Sequence, residues 1–265
     1  MKPRLLVPED VPQCLELCAE AGWNQTRRDW LRLLALAPHG CFAIDDGPQL
    51  VATATVVTYG AQLAWIGMVL VRASHRGRGL ARTLLQQTIA CADERNIACV
   101  KLDATELGEP VYRKLGFVAE CGVERWVREP GGAVALRPTV PYRFDAALDL
   151  RAFGADRAAL LWMLEQESTL GAADDSYALG RPGANAAFFG PCVAHTTASG
   201  RELIEAFVAQ HIESTVYWDR FSENAAGEGS MLGFAPVRHL KRMYRGTNCS
   251  GEPGLQFALA GFELG

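Results

Sequence analysis

The sequence has no Cys-x-x-Cys pair among its eight cysteines, no apolar run long enough to cross a bilayer and no surplus of basic charge. Each lack excludes something. Cys14 and Cys18 lie one helical turn apart, but no histidine or second cysteine pair accompanies them as a zinc site would need. The eight thiols, most of them inside apolar runs, therefore read as small core hydrophobes in a reducing, cytoplasmic setting. The best apolar stretch, Ala64–Val71, is far too short to span a membrane. The N-terminal segment carries acids within its first ten residues and no apolar core of signal-peptide length, so no secretory leader is expected. With 30 acidic against 26 basic residues and a formal charge of −4, nonspecific binding to nucleic acid or an anionic membrane is not expected. What is present is ordinary globular material: 49% apolar residues over 265 positions, enough for one large domain or two of about 130.

Along the chain, residues 9–21 and 27–37 read as amphipathic helices. Cys41–Ile44 and Leu50–Val57 flank Asp45-Asp46-Gly47, a hairpin signal. Ala64–Val71 reads as a strand, 80–94 as a helix, Ala98–Leu102 as a buried strand, 107–115 as a short helix stopped by Gly116, and Val118–Val127 as a strand. Residues 129–141, with three prolines and two adjacent glycines, read as a linker. The pattern then restarts, with helices over 156–167 and 201–211, a hairpin across Gly180–Gly183, and a strand at Ser214–Trp218 that leads to a short helix. The halves echo each other. Val100-Lys-Leu-Asp103 matches Val216-Tyr-Trp-Asp219, and Leu115-Gly-Phe117 matches Leu232-Gly-Phe234, 13 and 14 residues after the aspartate when counted to the glycine. Matches in the same order of elements indicate a repeat.

The segment that carries chemistry runs from Val69 to Arg82: strand, His75-Arg-Gly-Arg-Gly79 loop, helix. A helix start offers unpaired N–H groups and a positive dipole end, and glycines let the backbone close on an anion. Arg76, Arg78 and Arg82 add charge, so the ligand is a phosphate or pyrophosphate. The segment lacks both GxxxxGK[ST] and a complete GxGxxG. Arg76-x-x-Gly79-x-Ala81 instead resembles the acetyl-CoA pyrophosphate motif of the GNAT superfamily of N-acetyltransferases. The resemblance covers most of residues 4–127, including the Tyr112-Arg-Lys-Leu-Gly-Phe117 ending.

The resemblance implies an α/β (α+β) fold of two GNAT-like modules. Each is a mixed, mainly antiparallel twisted sheet with helices on both faces and a splayed central strand pair. Residues 1–128 are the expected catalytic domain and 142–265 a degenerate second copy. Acetyl-CoA is the implied co-substrate, with no metal. The implied cofactor contacts are Val69, Leu70 and Val71 on the pantetheine arm, with an N–H of Val69 or Leu70 toward the thioester oxygen. Arg76, Gly77, Arg78, Gly79, Leu80, Ala81 and Arg82 would hold the pyrophosphate, and Thr105 would touch the arm. Tyr112 matches the residue that protonates the departing thiolate, as general acid. Asp103 and Glu106 are candidate bases for the attacking amine. Trp23 and Asn24, with Gln25, occupy the loop that borders the acceptor site. In the second half His195–Glu202 has no such loop, and the position matching Tyr112 is Gly229.

The function expected is acetyl transfer to a primary amine of a small molecule, with no nucleic-acid or membrane partner and a homodimer left open. Two other readings stand beside it, a non-catalytic acyl-CoA sensor and an acyltransferase acting on a protein or peptide amine.

Overall fold

Apolar periodicity and turn chemistry set the elements, and one sheet gathers them. The structure, a computed structural model, describes residues 1–131, 144–168, 171–173, 175–223 and 226–265. The expected linker lies mostly outside that set. The first half contains β1 (Arg4–Leu5), α1 (Val11–Glu20), α2 (Arg27–Leu36), β2 (Cys41–Asp46), β3 (Gln49–Tyr59), β4 (Leu63–Val71), α3 (Leu80–Glu94), β5 (Cys99–Ala104), α4 (Glu109–Lys114) and β6 (Val118–Arg128). The second contains α5 (Ala146–Phe153), α6 (Ala158–Glu165), β7 (Ala172–Ala173), β8 (Ser176–Arg181), β9 (Ala187–Val193), α7 (Thr197–Gln210), β10 (Val216–Phe221), α8 (Ala226–Met231), β11 (Ala235–Gly246) and β12 (Gln256–Ala258). Among the described residues no helix is long and apolar enough to cross a membrane.

The halves do not form separate sheets. Strand order is β1-β2-β3-β4-β5-β11-β6-β10-β9-β8-β7, so β11 of the second half lies between β5 and β6 of the first. Reciprocally, β6 lies between β11 and β10. Both crossings are antiparallel, and both echo positions take part. Asp103 on β5 is the cross-strand partner of Arg242 on β11, and Asp219 on β10 is the partner of Arg125 on β6. Each aspartate is the last residue of its echoed tetrapeptide, and each arginine follows its Leu-Gly-Phe phenylalanine by 8 residues. Both pairs are bidentate, at 2.9 and 3.0 Å for Arg242–Asp103 and 2.7 and 2.6 Å for Arg125–Asp219. Aromatic rings cover both guanidinium groups, Trp65 and Phe221 for Arg242, and Phe188, Tyr217 and Phe262 for Arg125. The repeat is thus a pseudo-twofold pair, locked by the same ion pair made twice.

One core lies under both halves. Leu17, Trp30 and Leu33 from α1 and α2 pack with Phe153, Leu160, Leu161 and Leu264 from the second half. On the opposite face each half has its own core, built on α3 in one and α7 in the other. The helix α3 forms because its apolar residues recur at helical spacing, burying Leu80, Leu84, Leu85, Ile89 and Ala92 on one side.

Two central strand pairs begin parallel and then part. β4 pairs with β5 only through Leu63–Trp65, and β9 with β10 only through Ala187–Phe189. The second opening is filled. β12 pairs with β9 at Val193 and Cys192, and Leu259 donates its N–H to the Asp219 carbonyl at 2.8 Å. The first opening is not filled by a strand. From the filled cleft the chain continues to the first. There Phe262 accepts from Trp65 Nε1, Leu264 accepts from the Tyr59 hydroxyl, and a Cβ on Gly67 would stand 2.7 Å from the Glu263 carbonyl oxygen.

Candidate active site

The first half's opening begins where the β4 backbone leaves its register. Thr53 pairs with Leu70 and Thr55 with Gly67, so Met68 and Val69 stand opposite Ala54 alone. This bulge, with Met68 at φ +50°, re-aims the strand as it parts from β5. β4 then runs into the loop that starts α3. The α3 N-cap is Gly79 at φ +79°, with no side-chain cap, and Gly77 is at φ +77°. A Cβ at either glycine would meet no atom within 4 Å, so the loop faces open space. Arg76, Arg78 and Arg82 are exposed, and among the described residues none is in an ion pair. His75 holds the loop from below, one ring nitrogen 3.1 Å from Asp46 and the other 2.8 Å from the Ser74 hydroxyl. An uncapped helix start, open glycines and exposed guanidinium groups without a counter-charge suit a diphosphate, and the splayed β4–β5 edge suits an extended arm leading away from it. Val69 and Val71 are half-buried there, and Leu70 and Leu80 are buried.

The second half lacks these features for visible reasons. The α7 N-cap is Thr196, whose hydroxyl accepts the Ser199 N–H, so that helix start is already capped. A Cβ on Gly200 would strike the Phe257 ring at 2.4 Å, and one on Gly229 would strike Trp126 at 2.6 Å. Aromatic rings thus close the space over both of these second-half glycines, whereas Gly77 and Gly79 face open space.

Between the parted β4 and β5 lies a cleft of about 660 Å³, counted to its open mouth. Both halves line it: Val69, Thr105, Tyr112 and Trp23 from the first, Arg238, Phe262 and Glu263 from the second. The Tyr112 ring lies against Gly108, where a Cβ would come within 2.9 Å, and edge-on to Phe117. Burial pushes its phenol up to about 12. Thr105 spends its hydroxyl on the Gly108 N–H at 3.2 Å.

The carboxylates divide differently from the sequence expectation. Asp103 lines the cleft, but its carboxylate is wholly buried against Arg242. Glu106 is exposed in the turn after β5. Asn24 is a cross-link between the halves: its amide oxygen accepts the N–H groups of Asn185 and Ala186 at 2.8 and 2.9 Å, and its nitrogen donates to the Ala186 carbonyl. Trp23 does face the cleft. Sequence reasoning missed Glu263, Arg125 and Arg238. Glu263 is buried, which raises its pKa, and its nearest cation is Arg181 at 3.4 Å. The buried Asp-Arg pair gives a separate expectation. Asp103→Asn should cost about 3–5 kcal/mol of stability, because it leaves Arg242 buried without its counter-charge. Denaturant unfolding measures this. A variant as stable as the parent but without turnover would make Asp103 a base instead.

Comparison with known proteins bears on the family and the fold. The acetyltransferase (GNAT) family model matches residues 9–117, and a second acetyltransferase (GNAT) domain model matches 146–258. The chain is a two-module GNAT protein. The tandem fold recurs in solved structures. A Pyrococcus horikoshii protein assigned to the acetyltransferases superposes with a TM-score of 0.83 at 19% identity, covering 99% of this chain and 95% of its own. A GCN5-related N-acetyltransferase from Sphaerobacter thermophilus gives 0.65 at 15%, covering 92% and 95%. A tandem GNAT protein of the clavulanic acid biosynthesis pathway gives 0.62 at 16%, covering 94% and 99%. At these identities the likeness is one of fold. A search of curated proteins finds no significant sequence match. Family membership makes this tandem GNAT protein an acyl-CoA-dependent acyltransferase.

Proposed function

We propose that this GNAT protein transfers the acetyl group of acetyl-CoA to a primary amine of a small molecule, with one working site per chain. One observation carries the reading: the bulged, splayed edge of β4 lines the cleft and runs on directly into the uncapped start of α3. The N–H groups from Arg76 to Arg82 bind the pyrophosphate, and backbone groups of Val69 to Val71 take the pantetheine arm. The co-substrate, when bound, supplies an acyl carbonyl on a thiol leaving group. The re-aimed backbone at Val69 offers an N–H to the oxyanion that forms as the amine attacks. Tyr112 lines the same cleft and would meet the departing thiol there. A phenol near 12 is a weaker acid than a thiol of ~8.5. Tyr112 therefore acts chiefly by donating a hydrogen bond to the leaving thiolate, and complete proton transfer runs uphill. Of the cleft's carboxylates, Asp103 is committed to Arg242, so removal of the ammonium proton falls to Glu263, whose raised pKa improves it as a base. A cleft walled by both halves favours a small acceptor over a protein surface.

The test is release of free thiol from acetyl-CoA across a panel of amines, with Tyr112→Phe as the probe. The variant should turn over at least tenfold more slowly with little change in its acetyl-CoA dissociation constant. Full turnover in the variant removes Tyr112 from the mechanism. Tight acetyl-CoA binding without turnover of any amine favours a sensor.

A further inference from the structure

Two polar groups of the cleft have no hydrogen-bond or ion-pair partner among the described residues. Two arginines line it. Arg125 spends its guanidinium on Asp219. Arg238, on β11, has no hydrogen bond or ion pair among the described residues, and its guanidinium lies over the Trp23 ring at 5.9 Å. Burial and the nearby Arg125 charge hold its pKa below the ordinary value, as expected of a cation without a counter-charge. The Asp219 carboxylate, the acid whose field it feels, already belongs to Arg125. The second group is Gln25. Its amide oxygen is buried with no hydrogen-bond partner, and the residue lines both the cleft and the smaller hollow beside it that Glu263 shares. A buried acceptor without a donor and a half-buried cation without a counter-charge are both stabilised by a ligand that supplies the missing partner.

We infer that the acceptor is an amine that also bears a carboxylate, an apolar α-amino acid or a close relative. Arg238 takes the carboxylate, and Glu263 with the Gln25 oxygen takes the ammonium. This rests on the acetyl-transfer reading above and names its substrate class. The signs fit. A zwitterion satisfies the unpaired cation and the buried carboxylate at once, and guanidinium–carboxylate recognition is both strong and directional. A simple alkylamine would leave Arg238 without a counter-charge. A polyamine would add cations beside it. Trp23, Leu240 and Phe262 give the cleft an apolar stretch of wall that suits a hydrocarbon or aromatic side chain.

The experiment uses the full chain and matched pairs: leucine, methionine and phenylalanine against the amines that lack only the carboxylate. Free thiol from acetyl-CoA is the readout, with Arg238→Met and Arg238→Lys as variants. Arg238 is in no ion pair in the described structure, so Arg238→Met orphans no carboxylate and should fold. For at least one pair, the amino acid should be favoured at least tenfold in kcat/KM. Arg238→Met should abolish that preference through KM, and Arg238→Lys should restore part of it. Equal or reversed preference in the parent protein overturns the inference and leaves acetyl transfer standing, as does an unchanged preference in Arg238→Met. If no compound turns over, titration of the same amino acids onto CoA-loaded protein decides. Binding that Arg238→Met removes upholds the recognition and overturns the transferase reading. Absence of binding overturns the recognition.

Discussion

Gly79→Glu should abolish acetyl-CoA binding, raising the dissociation constant at least 100-fold, about 2.7 kcal/mol. Two effects act together. Gly79 is at φ +79°, where an L side chain costs about 1 kcal/mol or more. The new carboxylate also stands at the positive end of α3, beside N–H groups that would otherwise face phosphate. Space is not the obstacle, since a Cβ there meets nothing within 4 Å, so the variant should fold. Calorimetric titration gives affinity and stoichiometry together: one equivalent per chain for the parent protein and none for the variant. Retention of one equivalent in the variant would move the donor site to the second half, against the capped start of α7 and the ring packed on Gly200.

The halves should fail as separate proteins. Residues 1–131 expressed alone should aggregate and bind no acetyl-CoA, and co-expression with 144–265 should restore soluble, binding-competent material. Without the second half, β5 becomes an unpaired edge and β6 loses both its neighbours, β11 and β10, a liability for aggregation. The shared core loses Phe153, Leu160, Leu161 and Leu264, each worth roughly 1.5–3 kcal/mol of burial. Their sum is comparable with the ~5–15 kcal/mol that stabilises a whole domain. Size-exclusion chromatography and circular dichroism read the outcome. A monomeric, folded 1–131 would mean that β5 and β6 find another pairing.

The donor side of the site was legible because its signals are local. Glycine at a helix start, arginines around it and an apolar period of 3.6 all fall within the stretch from Val69 to Leu84. The hairpin at Asp45-Asp46-Gly47 and the helix bearing Tyr112 were readable for the same reason. β11 was not read as a strand at all. Pro236, Arg238, Lys241, Arg242 and Arg245 break its alternation, and the partners come from distant elements, Asp103 on β5 for Arg242 and Asp93 on α3 for Arg245. α5 was also missed, although Asp145 caps it through the Ala147 and Leu148 N–H groups. The echoed aspartates were noticed as a repeat. Their pairing with Arg125 and Arg242 depends on strand order, which spacing along the chain does not encode. The acceptor side follows the same rule. Glu263 reaches the first cleft only because β12 fills the second, a relation between segments almost 200 residues apart. Asp103, prominent in the sequence at a strand end, proved to be spent on an ion pair.

The reciprocal placing of β6 and β11 makes the molecule a covalent counterpart of a symmetric dimer. In a dimer of identical chains every substitution is made twice, once beside the donor and once in the opposing wall, so a change that suits one place must be tolerated in the other. Joining the two copies in a single chain removes that coupling. Cleft-lining positions of the second half, Arg238, Leu240 and Phe262, can vary while Val69–Arg82 and the Arg242–Asp103 lock stay as they are. On the acceptor reading proposed above, a library confined to those positions should redirect acceptor choice at constant donor affinity.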